Sequence, residues 1–199
     1  LAWNTQRMDE AARDFAAMMQ IERDFPQRGN ALRDYISFLS KTGDYAAASR
    51  VFGALEKYVR GQGERLSVEA TVAWAQTARR AKDYARAEKL YASLLRSHPD
   101  SVDDQRLRYF LAECEIGQGR FSDAIETLQN LALEDSLDEF GARAILKIGD
   151  LYFGKELYVP AIAAYRRYLQ LPSPTNADVI LFRVGATYQD KFSQYGSAA

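Results

Sequence analysis

Ile148-Gly149-Asp150-Leu151-Tyr152, followed by Tyr158-Val159-Pro160-Ala161-Ile162 and then Tyr165, is the stretch that decides the fold. Its key is Ala161, with an aromatic residue three before it and another four after it. The same alanine stands at Ala11, Ala48, Ala87 and Ala124. Large apolar residues precede these at Met8, Tyr45, Tyr84 and Phe121, and follow them at Phe15, Phe52, Tyr91 and Leu128. The intervals are 37, 39, 37 and 37, and one more step of 37 lands on Ala198, with Tyr195 three residues earlier. A fixed period of this size marks a solenoid of stacked supersecondary units. Solenoids are extended binding surfaces, so the period also bears on the kind of work the chain does.

Each unit reads as two antiparallel helices. Apolar residues recur at helical spacing, as in Leu107, Phe110, Leu111 and Cys114, or Ala87, Leu90, Tyr91 and Leu94. First helices are predicted over about 30–42, 67–81, 104–118, 138–154 and 177–190, and second helices over about 8–25, 45–59, 84–97, 121–134 and 158–170. Asp44 and Asp83 are placed to cap second helices, since a short carboxylate accepts from free backbone N–H groups. Ser136-Leu137-Asp138-Glu139 has the pattern of a capping box. Pro160 falls in the first turn of a helix, where its missing N–H is not needed. Pro26, Pro99, Pro172 and Pro174 follow second helices and stop them.

The anchor alanines have a mechanical reason. Where two helices cross closely, a small side chain admits the neighbouring backbone and the flanking aromatics fill the gaps. A second compact site stands twelve residues before three of the anchors, at Ala75, Ala112 and Gly149; Ile36 breaks that row. With Gly119-Arg120-Phe121-Ser122-Asp123-Ala124-Ile125 and Tyr84-Ala85-Arg86-Ala87 … Tyr91 … His98-Pro99, these residues resemble the tetratricopeptide repeat family.

The resemblance implies an all-α, right-handed superhelical solenoid. It divides the chain into four complete repeats, about 29–65, 66–102, 103–139 and 140–176, with partial repeats at 1–28 and 177–199. The period exceeds the family's usual value of about 34, and Glu115 replaces the aromatic usual nine residues before its anchor. Lengthened repeats of this kind are similar to those of bacterial envelope assembly lipoproteins and of the periplasmic arms of exopolysaccharide-export porins. That resemblance implies a periplasmic or envelope location.

Composition narrows the function. With 26 Lys and Arg against 27 Asp and Glu, the net charge is −1, too little cationic excess for nucleic acid as the main ligand. The runner-up reading is an RNA-binding helical repeat, whose side chains would read one base per unit; the near-neutral charge and the irregular residues of the groove argue against it. One histidine and one cysteine exclude a two-histidine metal site and an internal disulfide. His98 reads as a solvated loop residue, and Cys114 falls on an apolar helical stripe. Gly61-Gln62-Gly63-Glu64-Arg65 lacks the Lys-Ser/Thr of a phosphate loop and is read as the long turn behind the 39-residue interval. Asp103-Asp104 and Glu134-Asp135 read as solvated caps, and Trp3 and Trp74 as helix-packing residues. No catalytic constellation is present in the sequence, and neither an enzyme nor a cofactor is expected.

In the family, first helices line the concave surface. Counting back from each anchor selects Arg33, Ser37 and Lys41; then Gln76, Arg79 and Arg80; then Arg106, Tyr109 and Glu113; then Arg143, Lys147 and Asp150; and finally Arg183. Eight of these are cations on a chain that is neutral as a whole. Such local asymmetry suits an acidic or polar segment of another protein, with Tyr109 as an apolar contact. Chaperone-adaptor members hold a terminal carboxylate with asparagines eleven residues before the anchor. Ser37, Gln76, Glu113 and Asp150 stand there instead, which rejects that clamp. Apolar faces near the ends, including Phe15, Met18, Val184 and Tyr188, are expected to be partly bare and to allow end-to-end self-association.

Overall fold

A computed structural model describes residues 10, 13, 14, 17, 27–98, 104–133 and 139–189. Among the described residues the regular structure is helical: α1 (Arg28–Thr42), α2 (Tyr45–Gly61), α3 (Val68–Arg80), α4 (Tyr84–Ser97), α5 (Asp104–Gly117), α6 (Phe121–Ala132), α7 (Glu139–Gly154), α8 (Tyr158–Leu169) and α9 (Ala177–Thr187). The chain divides into two compact units, Leu1–Leu90 and Tyr91–Ala199. In the first, α1 packs on α2 and α2 on α3. In the second, α5, α6, α7, α8 and α9 pack each on the next, and α5 also packs on α7. In the second unit the first helices α5 and α7 of successive repeats are therefore neighbours, the stacking expected of a solenoid.

The turn inside each repeat shows the period at the level of single atoms. Gly43, Lys82, Gly119 and Glu156 each lie five residues before an anchor, and each takes a left-handed backbone, with φ of 82°, 60°, 76° and 59°. That geometry lets the next N–H reach back and close the preceding helix. Asp44 donates to Leu39 O (2.9 Å), Asp83 to Ala78 O (2.9 Å), Arg120 to Glu115 O (2.9 Å) and Leu157 to Tyr152 O (3.0 Å). The helix that follows is capped by side chain only where that residue is aspartate. Asp44 Oδ1 accepts from the Ala47 N–H at 2.9 Å and Asp83 Oδ1 from the Arg86 N–H at 3.3 Å.

Three repeats thus keep the backbone of the turn while lacking its glycine, its aspartate or both. Leu157 has φ and ψ of −86° and 74°, close to the −80° and 68° of Asp44, but carries no capping oxygen. Glycine adopts the left-handed region at no steric cost. Glu156→Gly is therefore expected to stabilise the protein by about 0.5–1 kcal/mol, part of the gain being offset by a freer unfolded chain. Leu157→Asp is expected to add about 1 kcal/mol by supplying the missing cap. Urea denaturation of the two single variants and the double variant measures both.

The anchors Ala48, Ala87, Ala124 and Ala161 are fully buried, as are Ala75 and Ala112. At Gly149 the reason for a small residue is explicit: a Cβ there would fall 2.5 Å from Cε1 of Tyr165. One expectation needs correction. The longer interval between Ala48 and Ala87 is not absorbed by a longer turn. It lies in α2, which has 17 residues where α6 and α8 have 12, and Gly63, at φ 78°, sits in the turn beyond it. The predicted helix 8–25, the capping box at 136–139, Pro26, Pro99, Trp3, and the apolar ends Phe15 and Met18 lie wholly or largely outside the described residues. Ala11 and Ala198 do as well.

Candidate functional site

The first-helix positions divide into exposed side chains, half-buried ones, cations lying over aromatic rings, and one that belongs to the core. Arg33, Ser37 and Lys41 follow one another at four-residue spacing on α1 and are exposed on one face. Arg33 Nη1 donates to Asn30 Oδ1 at 3.1 Å. On α3, Gln76 and Arg79 are half-buried and Arg80 is exposed. The Arg80 guanidinium lies 5.3 Å from the centroid of the Tyr45 ring, and its Nη1 donates to the Tyr45 hydroxyl at 3.3 Å. Tyr45 is the aromatic three residues before an anchor, so the repeat's own packing residue also positions the cation.

In the second unit Arg106, Glu113 and Lys147 are half-buried on α5 and α7. Arg143 is exposed and lies over two rings, 4.9 Å from Tyr109 and 5.3 Å from Phe140, with Nη1 3.5 Å from Glu139 Oε1. A guanidinium held over a ring loses less freedom when it binds. Tyr109 departs from expectation. It is only 3% exposed and packs against Phe110 and Phe140 at 5.9 and 5.7 Å. Phe110 and Phe140 themselves meet edge to face at 5.8 Å. Tyr109 is therefore a core ring beneath Arg143, and the apolar contact expected of it on the surface is not offered in this conformation.

Asp150 and Arg183 also come together more tightly than counting from anchors suggests. Arg183 Nη1 lies 2.6 Å from Asp150 Oδ1 and donates to the Tyr165 hydroxyl at 2.9 Å; that hydroxyl donates to Asp150 Oδ1 at 2.8 Å. The cluster ties α7, α8 and α9 to one another. Burial pushes the Tyr165 hydroxyl up to about 12, the hydrogen bond from Arg183 opposing the shift and Asp150 adding to it. Hydrogen bonding to Tyr165 raises the Arg183 pKa, against burial. Tyr165 thus stays neutral and Arg183 charged near neutrality. Sequence reasoning missed Tyr165 in this role. Its signal was the opposite charge of Asp150 and Arg183 on successive first helices.

Beside Arg183 a cleft of about 330 Å³ opens between α9 and the end of α7, lined by Phe153, Tyr158, Val179, Phe182, Ala186 and Thr187. The turn before α9 is held by Tyr168, whose hydroxyl accepts from the Thr175 N–H at 3.0 Å. Of the end residues expected to be bare, Val184 is half-buried against the core and Tyr188 is exposed, with the Arg166 guanidinium 5.6 Å from its ring. Cys114 is buried, His98 Nδ1 lies 2.8 Å from Ser97 Oγ at a helix end, and Trp74 packs in the core.

Two family models, both described as tetratricopeptide repeat, match residues 39–102 and 78–148. Together they span more than half the chain, which belongs to the tetratricopeptide repeat family. MamA 41-end from Desulfovibrio magneticus RS-1 is similar in structure, with a TM-score of 0.58 and 16% identity, over 87% of this chain and 92% of that one. The MamA RS-1 ArsTM double mutant gives 0.56 and 17%, over 83% and 88%. The apo form of the quorum sensor NprR from B. thuringiensis gives 0.64 and 11%, over 94% of this chain and 56% of that one. At these identities the likeness is one of fold. No curated protein matches the chain.

Proposed function

We propose that this chain is a non-catalytic scaffold that holds an acidic or polar segment of another protein on the first-helix faces of its repeats. The observation that carries the reading is the seating of Arg80 and Arg143 over aromatic rings built into the repeat itself, at 5.3 and 4.9 Å. Cations held this way meet carboxylates without ordering a long side chain at the moment of binding. Arg33 and Lys41 add exposed charge on α1, while Glu139 and Asp150 temper it near Arg143 and Arg183. Membership of a repeat family whose architecture is an extended binding surface supports the same reading. A place in the bacterial envelope is part of the proposal and rests on the 37–39-residue period; cell fractionation tests it.

The function is tested by affinity capture from the source cells with the wild-type chain and an Arg80→Glu, Arg143→Glu, Lys147→Glu variant. The variant is expected to stay folded, since Arg80 and Arg143 are exposed and Lys147 is only half-buried. It is expected to lose the wild-type partners, and the wild-type association to slow steeply with added salt. An unchanged set of partners contradicts the proposal and moves the site off the first-helix faces.

A further inference from the structure

The second helices share one framework, but the charge on their outer faces changes along the chain. Arg86 and Lys89 on α4 become Asp123 and Glu126 on α6, then Pro160 and Ala163 on α8, while Arg50 on α2 holds the position of Lys89. These cations are therefore not demanded by the packing of the repeat. The bias extends to whole units: Leu1–Leu90 holds 15 Lys and Arg against 12 Asp and Glu, and Tyr91–Ala199 holds 11 against 15. Within the first unit the cations share a face. Arg50, Gly53 and Lys57 follow one another at three and four residues on α2. Arg86 reaches them from α4, since a Cβ added at Gly53 would lie 3.8 Å from its Nη1. Arg50, Lys57, Arg60, Arg86 and Lys89 are all exposed. Arg60 and Arg86 pair with Glu56 at 2.6 Å and Asp83 at 3.0 Å. Arg50, Lys57 and Lys89 make no ion pair among the described residues.

The composition of this face selects its partner. A protein interface has an apolar core, and single-stranded nucleic acid stacks its bases on aromatic side chains. Among the described residues neither α2 nor α4 exposes a large apolar side chain. A small phosphate compound needs donors that converge on one point, whereas Arg50 and Lys57 stand two turns apart, about 10 Å along the helix axis. Cations spread over a face without apolar groups match a surface that is itself a field of separate negative charges. We propose that the outer face of the first unit, at Arg50, Lys57, Arg86 and Lys89, rests on an anionic lipid bilayer, held by charge and without insertion. Asp123 and Glu126 stand at the same positions on α6, so the contact is confined to the first unit. The first-helix faces are left to the protein partner, and the proposal does not depend on them.

The test is cosedimentation of the whole chain with vesicles of phosphatidylcholine and phosphatidylglycerol in equal parts, and with vesicles of phosphatidylcholine alone. Binding is expected to the anionic vesicles only, and to fall away as added salt screens the cations. An Arg50→Glu, Lys57→Glu, Lys89→Glu variant is expected to bind them at least about tenfold more weakly, with circular dichroism reporting that it folds. The Arg80→Glu, Arg143→Glu, Lys147→Glu variant changes the net charge by the same amount and is expected to bind the vesicles as the wild type does. Equal losses in the two variants would assign the effect to total charge and overturn the proposal. Absence of binding overturns it, as does equal binding to both kinds of vesicle. A chain that ignores the vesicles and holds a short DNA duplex through Arg50, Lys57 and Lys89 contradicts it too. Capture of protein partners by the outer-face variant is expected to be unchanged, so the two surfaces succeed or fail separately.

Discussion

Tyr165→Ala is expected to lower the stability of the second unit by about 3–5 kcal/mol, the range for emptying a large aromatic site in a packed core. The ring is fully buried. It lies against Gly149 so closely that no Cβ fits between them. Its hydroxyl bonds Asp150 and Arg183 at 2.8 and 2.9 Å, so removal also takes one hydrogen-bond partner from each member of that ion pair. The residue is at once the aromatic after the anchor, the neighbour of the small site on the preceding helix, and the link from α8 to α9. Urea unfolding followed by far-ultraviolet circular dichroism measures the loss; a change under about 1 kcal/mol would mean that the ring is not the packing element of the repeat.

Trp74→Ala should destabilise the first unit by a similar amount, about 3–5 kcal/mol. Trp74 is buried, stacks on Phe52 at 6.1 Å and donates from Nε1 to Ser49 Oγ at 3.2 Å. The Arg86 guanidinium lies 5.9 Å from its ring. Each contact stays within the first unit, and together they separate the two roles a tryptophan on a first helix can have. A ligand platform would tolerate alanine with little loss of stability and a large loss of binding. The core residue seen here gives the reverse, and thermal unfolding distinguishes them.

Much of this fold was legible because a repeat writes its geometry into the sequence several times over. Ala48, Ala87, Ala124 and Ala161 are buried for one steric reason, so a single residue type at one spacing reports four helix crossings. The aspartate caps and the helix limits follow from local chemistry and were equally readable. The turn inside the repeat was less so, because Lys82 and Glu156 hide a left-handed position that Gly43 and Gly119 display. The site was readable only in part. Position counting places a residue on a face but does not say whether the side chain stays there. At the same distance from their anchors, Arg33 remains exposed while Tyr109 turns into a cluster of rings that Phe110 and Phe140 complete. Long cations have no such pocket and lie across the rings. The Asp150–Tyr165–Arg183 staple draws on three helices and residues up to 33 positions apart, beyond what any local pattern carries.

One comparison bears most directly on the claim that a single 37-residue register organises both packing and site. Ala161 is fully buried, while Val159, two residues earlier on the same helix, is 68% exposed. Leucine at the anchor has nowhere to go without displacing α7, whereas leucine at 159 meets solvent. The measurement is the difference in unfolding free energy between Ala161→Leu and Val159→Leu. The register predicts a loss of about 1–3 kcal/mol for the first and a change within about 0.5 kcal/mol for the second. Equal effects, or a larger one at Val159, would contradict the register and with it the placement of every first-helix residue assigned to the binding faces.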